Sequence, residues 1–311
     1  MRYAVTHETR YAYRAPVEVG LHVAKLMPLQ SERQQVIDQH LDISPTPTGE
    51  ASFRDHFGNG ATYIAIETPH DVLSVTLRAT VEVKPVASVA EAPSWETVRD
   101  AMKDDGFPAC PDVAEFLYPS PLAPANAAAV HYVAGSFTAK RPIAEAALGL
   151  ARRIRKDFAY TPGATTIATP VADVIAHHRG VCQDFAHVMI AGLRGLGLPA
   201  RYVSGYLRTY PPKEAAAAER RGFDASHAWV SVWCGTKLGW LDFDPTNALL
   251  VSDEHITVAH GRDFADVTPL RGVITGGGQH RLSVAVTVEP LPEEATAAAD
   301  ESAPDGETTS P

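Results

Sequence analysis

The chain contains little cysteine, and it has no long uncharged apolar segment. Its 311 residues include three cysteines, Cys110, Cys182 and Cys234. An odd number at wide spacing argues against a disulfide framework and against a CxxC metal site, so we expect free thiols in a cytoplasmic protein. No stretch reaches the roughly 18 apolar residues of a membrane helix, and the N-terminus lacks the apolar core of a signal peptide. We therefore expect no membrane partner.

Basic residues are absent from the C-terminal segment 290–311, which holds six acidic residues and no aromatic residue. This composition predicts a disordered acidic tail. The formal net charge of the whole chain is −10, so the part before the tail is only mildly acidic. Because it also lacks a cluster of Lys and Arg, we do not expect it to bind nucleic acid.

The N-terminal segment 1–85 has the periodicity of strands. Apolar residues recur at every second position in Val75, Leu77, Ala79, Val81 and Val83, which is typical of a strand with one buried face. Turn-forming residues interrupt the pattern at 44–49 and 57–60. We predict an antiparallel β domain over 1–85.

The middle and C-terminal parts have a different pattern. Segment 86–140 is rich in Ala and Pro and predicts a connector in which helices can be embedded. Pro142 suits the first turn of a helix, and apolar residues at helical spacing follow it. We predict a second domain over 141–289, closed by an alternating strand at 280–289. The whole chain is then an α+β protein of ordinary globular composition, with 45% hydrophobic and 21% charged residues.

Cys182 lies at the expected start of a helix. An apolar stripe follows it at helical spacing, and Gly197 marks the end of the helix; the stripe consists of Phe185, Met189, Leu193 and Leu196. Unpaired N–H groups and the dipole at a helix N-terminus favour a thiolate. The alternative is that Cys182 is a small buried apolar residue, as many free cysteines are.

A histidine and a carboxylate come from the strands that follow. His227 shares one face of the string 226–233, away from its aliphatic residues. Strands are predicted over 201–206, 228–233 and 239–243. If the hairpin turns about Gly235-Thr236, Trp229 lies opposite Asp242 and His227 opposite Asp244, within about 5 Å between Cβ atoms. The pairing predicts a hydrogen bond between His227 and Asp244. The alternative is a solvated polar strand face on which the two residues meet by chance.

Asp242 is the rival orienting acid. A bulge at Gly239 would shift the register and bring Asp242 to the histidine instead. We favour Asp244 because it lies at the strand end before Pro245, where a carboxylate can stay ionised beside an imidazole.

Three strings of residues resemble the transglutaminase-like superfamily of cysteine proteases and acyl transferases. They are Gly-Val-Cys-Gln-Asp-Phe-Ala at 180–186, Ser-His-Ala-Trp-Val at 226–230, and Gly-Trp-Leu-Asp-Phe-Asp-Pro-Thr-Asn at 239–247. The strings at 55–59 and 261–267 resemble the bacterial branch, with its β-rich N-terminal domain. The resemblance implies a papain-like core with the cysteine at a helix N-terminus and the histidine and aspartate on adjacent antiparallel strands. It also implies that Cys182, His227 and Asp244 form a catalytic triad.

The implied activity is thiol-dependent acyl transfer on amide bonds of a peptide or protein substrate, without a cofactor. We favour hydrolysis, as in a cysteine peptidase or amidase, over transamidation of protein glutamine. A non-catalytic binding module is a further alternative, although all three triad positions carry the required residue types. The backbone N–H of Cys182 is the expected first oxyanion donor, and Gln183 and Tyr160 are the candidates for the second.

We predict no metal site, although the chain has 13 histidines. His177 and His178 are adjacent and face different sides of a helix, and neither an HExxH nor a CxxC pattern occurs. No EF-hand spacing indicates calcium. His187 lies about 140° around the helix from Cys182, so we expect it to pack rather than act as the base. Cys110 and Cys234 are expected bystanders, and the sequence gives no indication of an oligomeric state.

Overall fold

The computed structural model describes residues 1–86, 89, 91–104, 110–210, 221 and 226–292. Two antiparallel sheets form the framework, and helices pack against the second sheet. The α+β class predicted from the sequence is therefore confirmed. No helix in the described part of the chain is long and apolar enough to cross a lipid bilayer.

The first sheet is built around one long strand, β1 (Arg2–Ala24). The other strands of this sheet are β2 (Gln34–Ser44), β3 (Gly49–Arg54), β4 (Gly60–Ile66), β5 (His70–Val83), β13 (Leu270–Gly276) and β14 (His280–Pro290). The first half of β1 pairs with β5 and β14, and its second half pairs with β4 and β13. The alternating apolar side chains of β5 are all buried, as their period of two predicts.

The predicted closing strand at 280–289 exists, but its predicted place is wrong. Strand β14 pairs with β1 along its length, from Tyr3 opposite Pro290 to Tyr13 opposite His280. Alternation identifies a strand and its buried face, but it carries no information about the partner. Val286 and Val288 are buried in the first sheet, so the chain returns to the sheet in which it began. The predicted tail starts at the last residue of β14, and residues 293–311 lie outside the described part.

The second sheet consists of β8 (Ala200–Leu207), β9 (His227–Trp233), β10 (Trp240–Asp244), β11 (Leu249–Leu250) and β12 (His255–Gly261). Its order is β11-β10-β9-β8-β12, and it is antiparallel throughout. A separate parallel pair, β6 (Ala159–Tyr160) and β7 (Arg179–Gly180), precedes it in the chain. The three strands predicted in this region are confirmed.

Helices fill the connector and surround the second sheet. They are α1 (Trp95–Asp104), α2 (Pro111–Ala114), a 3-10 turn (Glu115–Leu117), α3 (Ala127–Ala134), α4 (Ile143–Asp157), α5 (Val171–His177), α6 (Cys182–Gly195) and α7 (Phe264–Val267). Helix α6 begins at Cys182, as predicted, and Gly197 follows its end with a φ of +80°. The helix is buried on more than the predicted stripe, because the sheet covers one side and α3, α4 and α5 cover the other.

The N-terminal part covers the free edge of β12. The backbone N–H of Leu29 donates to the carbonyl of Thr257 at 2.9 Å, and the Gln34 amide bonds both the N–H and the carbonyl of Thr257 at 2.7 Å each. Further along, the Asn59 amide bonds the carbonyl and N–H of His260 at 2.8 and 2.9 Å. These contacts satisfy an edge that would otherwise be open. They also fix the loop at 29–34 above the second sheet.

Candidate active site

The loop before α6 positions the thiol. The Asp184 carboxylate accepts hydrogen bonds from the N–H of Val181 at 2.8 Å and from the hydroxyl of Thr165 at 2.6 Å. A Cβ at Gly180 would lie 2.8 Å from the Cβ of Asp184, so only glycine fits this turn. Cys182 is half-buried and occupies the first turn, where backbone N–H groups are unpaired.

His227 and Asp244 are in contact, as predicted. The Nε2 atom of His227 lies 2.8 Å from the Oδ2 atom of Asp244, and both side chains have no exposed surface. His227 is the first residue of β9 and Asp244 is the last of β10. The ends of these two strands therefore bring the imidazole and the carboxylate together.

The predicted register of this hairpin is wrong. Asp242 pairs with Ser231, not with Trp229, so the register differs by two residues. The reason is a longer turn than the one assumed: Gly235 and Gly239 both have positive φ and bracket it, and the N–H of Gly239 donates to the carbonyl of Gly235. A shift of two leaves every side chain on its predicted face. Asp244 thus still reaches His227, although the two are not direct cross-strand partners.

The rival acid Asp242 is engaged elsewhere. Its Oδ2 atom accepts a hydrogen bond from the indole Nε1–H of Trp229 at 3.1 Å. Gly239 lies in the turn before β10 rather than at a bulge within it. Asp244 is therefore the carboxylate that meets the histidine.

Asp244 accepts five hydrogen bonds. Its Oδ1 atom accepts from the backbone N–H groups of Thr246 at 2.8 Å and Asn247 at 3.1 Å. Its Oδ2 atom accepts from His227, from the Asn247 amide at 2.7 Å and from the Nε2–H of His255 at 3.1 Å. The carboxylate is thus held in one orientation.

Sequence reasoning missed Asn247 and His255. Asn247 had a local signal, because an Asp followed by N–H groups two and three residues later commonly accepts from both of them. His255 had none. It lies on β12, which is separated from β10 in the sheet by β9 and β8.

The two buried groups stabilise each other's charge. Burial alone would raise the pKa of Asp244, but the charge of His227 and the hydrogen bonds from His227 and His255 hold it well below its usual value. Burial alone would lower the pKa of His227, but the charge of Asp244, its hydrogen bond and the Cys182 thiol raise it to about 10. The arrangement therefore favours an imidazolium paired with a carboxylate.

The other ring nitrogen of His227 is left for the thiol. Nδ1 is buried and has no partner at normal hydrogen-bonding distance among the described residues. Cys182 is the remaining group that acts on the ring, as its effect on the pKa of His227 shows. Hydrogen bonds of this kind are often long in an enzyme without substrate. Nδ1 is therefore the ring atom that is open to a thiol.

The two side-chain candidates for the oxyanion donor lie close in the chain to the thiol. Gln183 is the second residue of α6 and is half-buried. Tyr160 pairs with Gly180 in the β6-β7 ladder, and its ring centroid lies 6.4 Å from that of Phe185. Their predicted roles stay predictions.

The remaining histidine and cysteine candidates lie in other surroundings. His187 is buried against Tyr202 and accepts a hydrogen bond from the N–H of Phe264 at 3.3 Å, and burial lowers its pKa to about 4. Burial raises the pKa of Cys234 to about 12. Cys110 precedes α2. Each position is compatible with the predicted packing or bystander role.

One group of potential metal ligands occurs among the described residues, and it is His227, Asp244 and His255. Their ligand atoms lie within 4.8 Å of one another. Both histidines bond the same carboxylate oxygen directly, at 2.8 and 3.1 Å. We interpret the group as a hydrogen-bonded chain. His177 and His178 are exposed and lie outside this group.

Comparisons with known proteins identify two family patterns in the sequence and a solved structure of similar fold. The pattern of the bacterial transglutaminase-like N-terminal region matches residues 3–82, and that of the transglutaminase-like superfamily matches residues 131–245. The chain resembles a crystal structure from Cytophaga hutchinsonii, provisionally named a cysteine protease, with a TM-score of 0.74 and 23% identity over 95% of this chain and 92% of that one.

Relatives in mycobacteria match nearly the whole chain. An uncharacterized protein of Mycobacterium tuberculosis is 40% identical over 299 residues, which is 93% of each chain. One of Mycobacterium leprae is 33% identical over 93% of this chain and 99% of that protein. A segment of 109 residues is 39% identical to part of a protein-glutamine gamma-glutamyltransferase of Pseudomonas aeruginosa, covering 34% of this chain and 16% of that protein. The chain belongs to the transglutaminase-like superfamily, with a bacterial transglutaminase-like N-terminal region before its core.

Proposed function

We propose that the protein transfers acyl groups from amide bonds of peptides or proteins through a covalent thioester on Cys182. The buried contact between His227 and Asp244 carries the proposal, because it leaves Nδ1 of His227 available to a thiol at a helix N-terminus. Cys182 is the nucleophile, His227 the general acid and base, and Asp244 the group that orients the imidazole.

In the first half-reaction the Cys182 thiolate attacks the amide carbonyl and a C–S bond forms. The protonated Nδ1 of His227 then donates its proton to the leaving nitrogen, and the C–N bond breaks. The backbone N–H of Cys182 stabilises the oxyanion, and Gln183 or Tyr160 supplies the second donor. The products are a free amine and a thioester.

In the second half-reaction we assign water as the acceptor. His227 takes a proton from water, the hydroxide attacks the thioester, and the C–S bond breaks to release a carboxylic acid and the thiolate. Hydrolysis needs no site beyond the triad, whereas transamidation also needs a site that binds an amine and excludes water.

Transamidation is the second candidate. The similarity of 109 residues to a segment of a protein-glutamine gamma-glutamyltransferase favours it. In this case a primary amine attacks the thioester in place of water, and the product is a new amide.

One experiment distinguishes hydrolysis from transamidation by the product that forms. Purified protein is incubated with glutamine-containing peptides, with and without a primary alkylamine, and mass spectrometry identifies cleaved, deamidated and amine-linked products. We expect cleaved or deamidated peptide, and a dominant amine-linked product would favour transamidation instead. Absence of all three products, or equal turnover by a Cys182→Ala variant, would contradict acyl transfer.

A further inference from the structure

A cavity of about 320 Å³ lies between the N-terminal loop at 29–34 and the second sheet. Its volume is within the range of small-molecule sites. The residues that define its chemistry are Arg33, Arg201, Trp240, Asp242, His255 and His260.

The cavity is on the face of the sheet away from the catalytic helix. Tyr202 faces α6, where its ring lies 5.1 Å from that of His187. Since successive side chains of a strand alternate, Arg201 and Val203 face the other way and line the cavity. A ligand in the cavity would therefore be separated by the sheet from the body of α6.

Two arginines in the cavity wall have unused donors. The Nε atoms of Arg33 and Arg201 are buried and have no acceptor among the described residues. Arg201 has no hydrogen bond or ion pair with any described residue, and Arg33 donates only to the carbonyl of Lys84, at 3.3 Å. A buried N–H donor without an acceptor is costly, which makes an external acceptor favourable.

Arg194, in the same part of the molecule, shows how the fold satisfies a buried arginine internally. It donates to the carbonyl of Ala200 at 2.8 and 3.1 Å, to the hydroxyl of Ser120 at 3.1 Å and to the carbonyl of Arg262 at 2.7 Å. Arg201 has no such set of acceptors. The difference indicates that the hydrogen-bond acceptor of Arg201 comes from outside the chain.

The surroundings hold Arg201 in position, and the charge of Asp242 acts on it without a direct ion pair among the described residues. Its guanidinium carbon lies 4.4 Å from the ring centroid of Trp240, a stacking contact that leaves the planar N–H edge free. Asp242 is engaged by the indole of Trp229 and forms no ion pair with either arginine among the described residues. The other acid in the wall, Glu32, is exposed.

We propose that this cavity binds the oxyanion group, carboxylate or phosphate, of a small molecule between Arg201 and Arg33. A planar guanidinium matches both groups by two parallel hydrogen bonds. Trp240 provides the apolar wall for the rest of the ligand. Binding at this site does not involve Cys182, so a Cys182→Ala variant is expected to bind equally well whether or not acyl transfer occurs.

Isothermal titration calorimetry on the full chain at low ionic strength tests the site, with succinate and inorganic phosphate as separate probes. We expect saturable binding of at least one probe, and the tighter one identifies the preferred oxyanion. Arg201→Met should weaken binding about tenfold or more, and Arg33→Met should weaken it in the same direction. Arg99→Met is the matched control, because Arg99 also stacks on a tryptophan, Trp95, but is paired with Asp100 at 2.8 Å.

The unliganded melting temperature of each variant shows whether it folds. If Arg201→Met does not fold, Arg33→Met and Arg201→Lys take its place, and both should bind the probe more weakly than the parent protein. Absence of saturable binding by both probes would overturn the proposal. Binding that is unchanged in the arginine variants, or equally weakened by Arg99→Met, would overturn it as well.

Discussion

The acid end and the thiol end of the proposed triad are built in opposite ways. Asp244 is fully buried and accepts five hydrogen bonds, two of them from backbone N–H groups. Cys182 is only half-buried, and its thiol acts on His227. His227 joins the two ends, with Nε2 bound to the carboxylate and Nδ1 without a nitrogen or oxygen partner among the described residues.

The fold itself requires the acid end of the site more than the thiol end. A carboxylate that satisfies two backbone groups and three side chains contributes to stability, and its loss would leave buried donors without a partner. The half-buried Cys182 thiol contributes less to stability than this carboxylate does, and it is accessible to a substrate. We therefore expect substitutions at the thiol end to change activity alone, and substitutions at the acid end to change activity and stability together.

The largest effect on activity is expected at the thiol. Cys182→Ser should lower kcat by a factor on the order of 10⁵–10⁶, because the nucleophile is lost, and should leave the melting temperature unchanged. Kinetics and calorimetry measure the two effects. Cys234→Ser is the matched control, since Cys234 is fully buried: it should keep its activity and lose about 1–2 kcal/mol of unfolding free energy. Loss of stability in Cys182→Ser, or loss of activity in Cys234→Ser, would contradict the assignment of Cys182 as the nucleophile.

The next largest effect is expected at the acid. Asp244→Ala should lower kcat by about 10⁴-fold, because the imidazole loses the group that orients it. It should also lower the unfolding free energy by about 3–5 kcal/mol, since it leaves a buried His227 without its partner. Urea denaturation measures the second change. If this variant keeps its full stability, Asp244 does not contribute to the stability of the fold as proposed.

The pH dependence of stability and of kcat tests the pairing of His227 with Asp244. The folded pKa of His227 is about 10 and its ordinary value is 6.5, so its pairing with Asp244 stabilises the fold fully below pH 6.5. That contribution is lost as the pH rises through about 10. Asp244→Asn removes the charge that raises this pKa, so the alkaline fall of kcat should move to lower pH. An alkaline limb at the same pH in both proteins would contradict the assigned pairing.

A smaller effect is expected at His255. His255→Phe removes one of five hydrogen bonds to Asp244 and should lower kcat about tenfold. The alkaline limb should move to higher pH, because more of the Asp244 charge then acts on His227. A purely structural role would lower stability without moving that limb. His187→Gln is the control, because His187 bonds the backbone of Phe264 rather than the triad. Its kcat should change by less than about threefold.

Much of the site was predictable because it depends on short-range geometry. The helix that starts at Cys182 follows from its apolar spacing, and the shared face of His227 and Asp244 follows from strand alternation. The contact between His227 and Asp244 was predicted although the predicted register was wrong. The predicted and observed registers differ by two residues, and a shift of two keeps each side chain on the same face of the sheet. A shift of one residue would have turned Asp244 away from His227.

The parts that were not predictable depend on long-range pairing. Strand β14 has clear alternation, yet nothing in that pattern selects β1 as its partner. His255 lies on β12, away from β10 in the sheet, so only the assembled sheet brings it to Asp244. The cavity around Arg201, whose Nε has no acceptor in the described part of the chain, likewise forms only when the loop at 29–34 covers the sheet.

Detection of a thioester on Cys182 is the decisive test of the proposed acyl transfer. Protein quenched with acid during turnover of an acyl donor is digested and analysed by mass spectrometry. The proposed mechanism predicts an acyl adduct on the peptide that contains Cys182, its absence from the peptides of Cys110 and Cys234, and a much smaller yield in a His227→Ala variant. An adduct on Cys234, or no adduct on Cys182 while product accumulates, would contradict it.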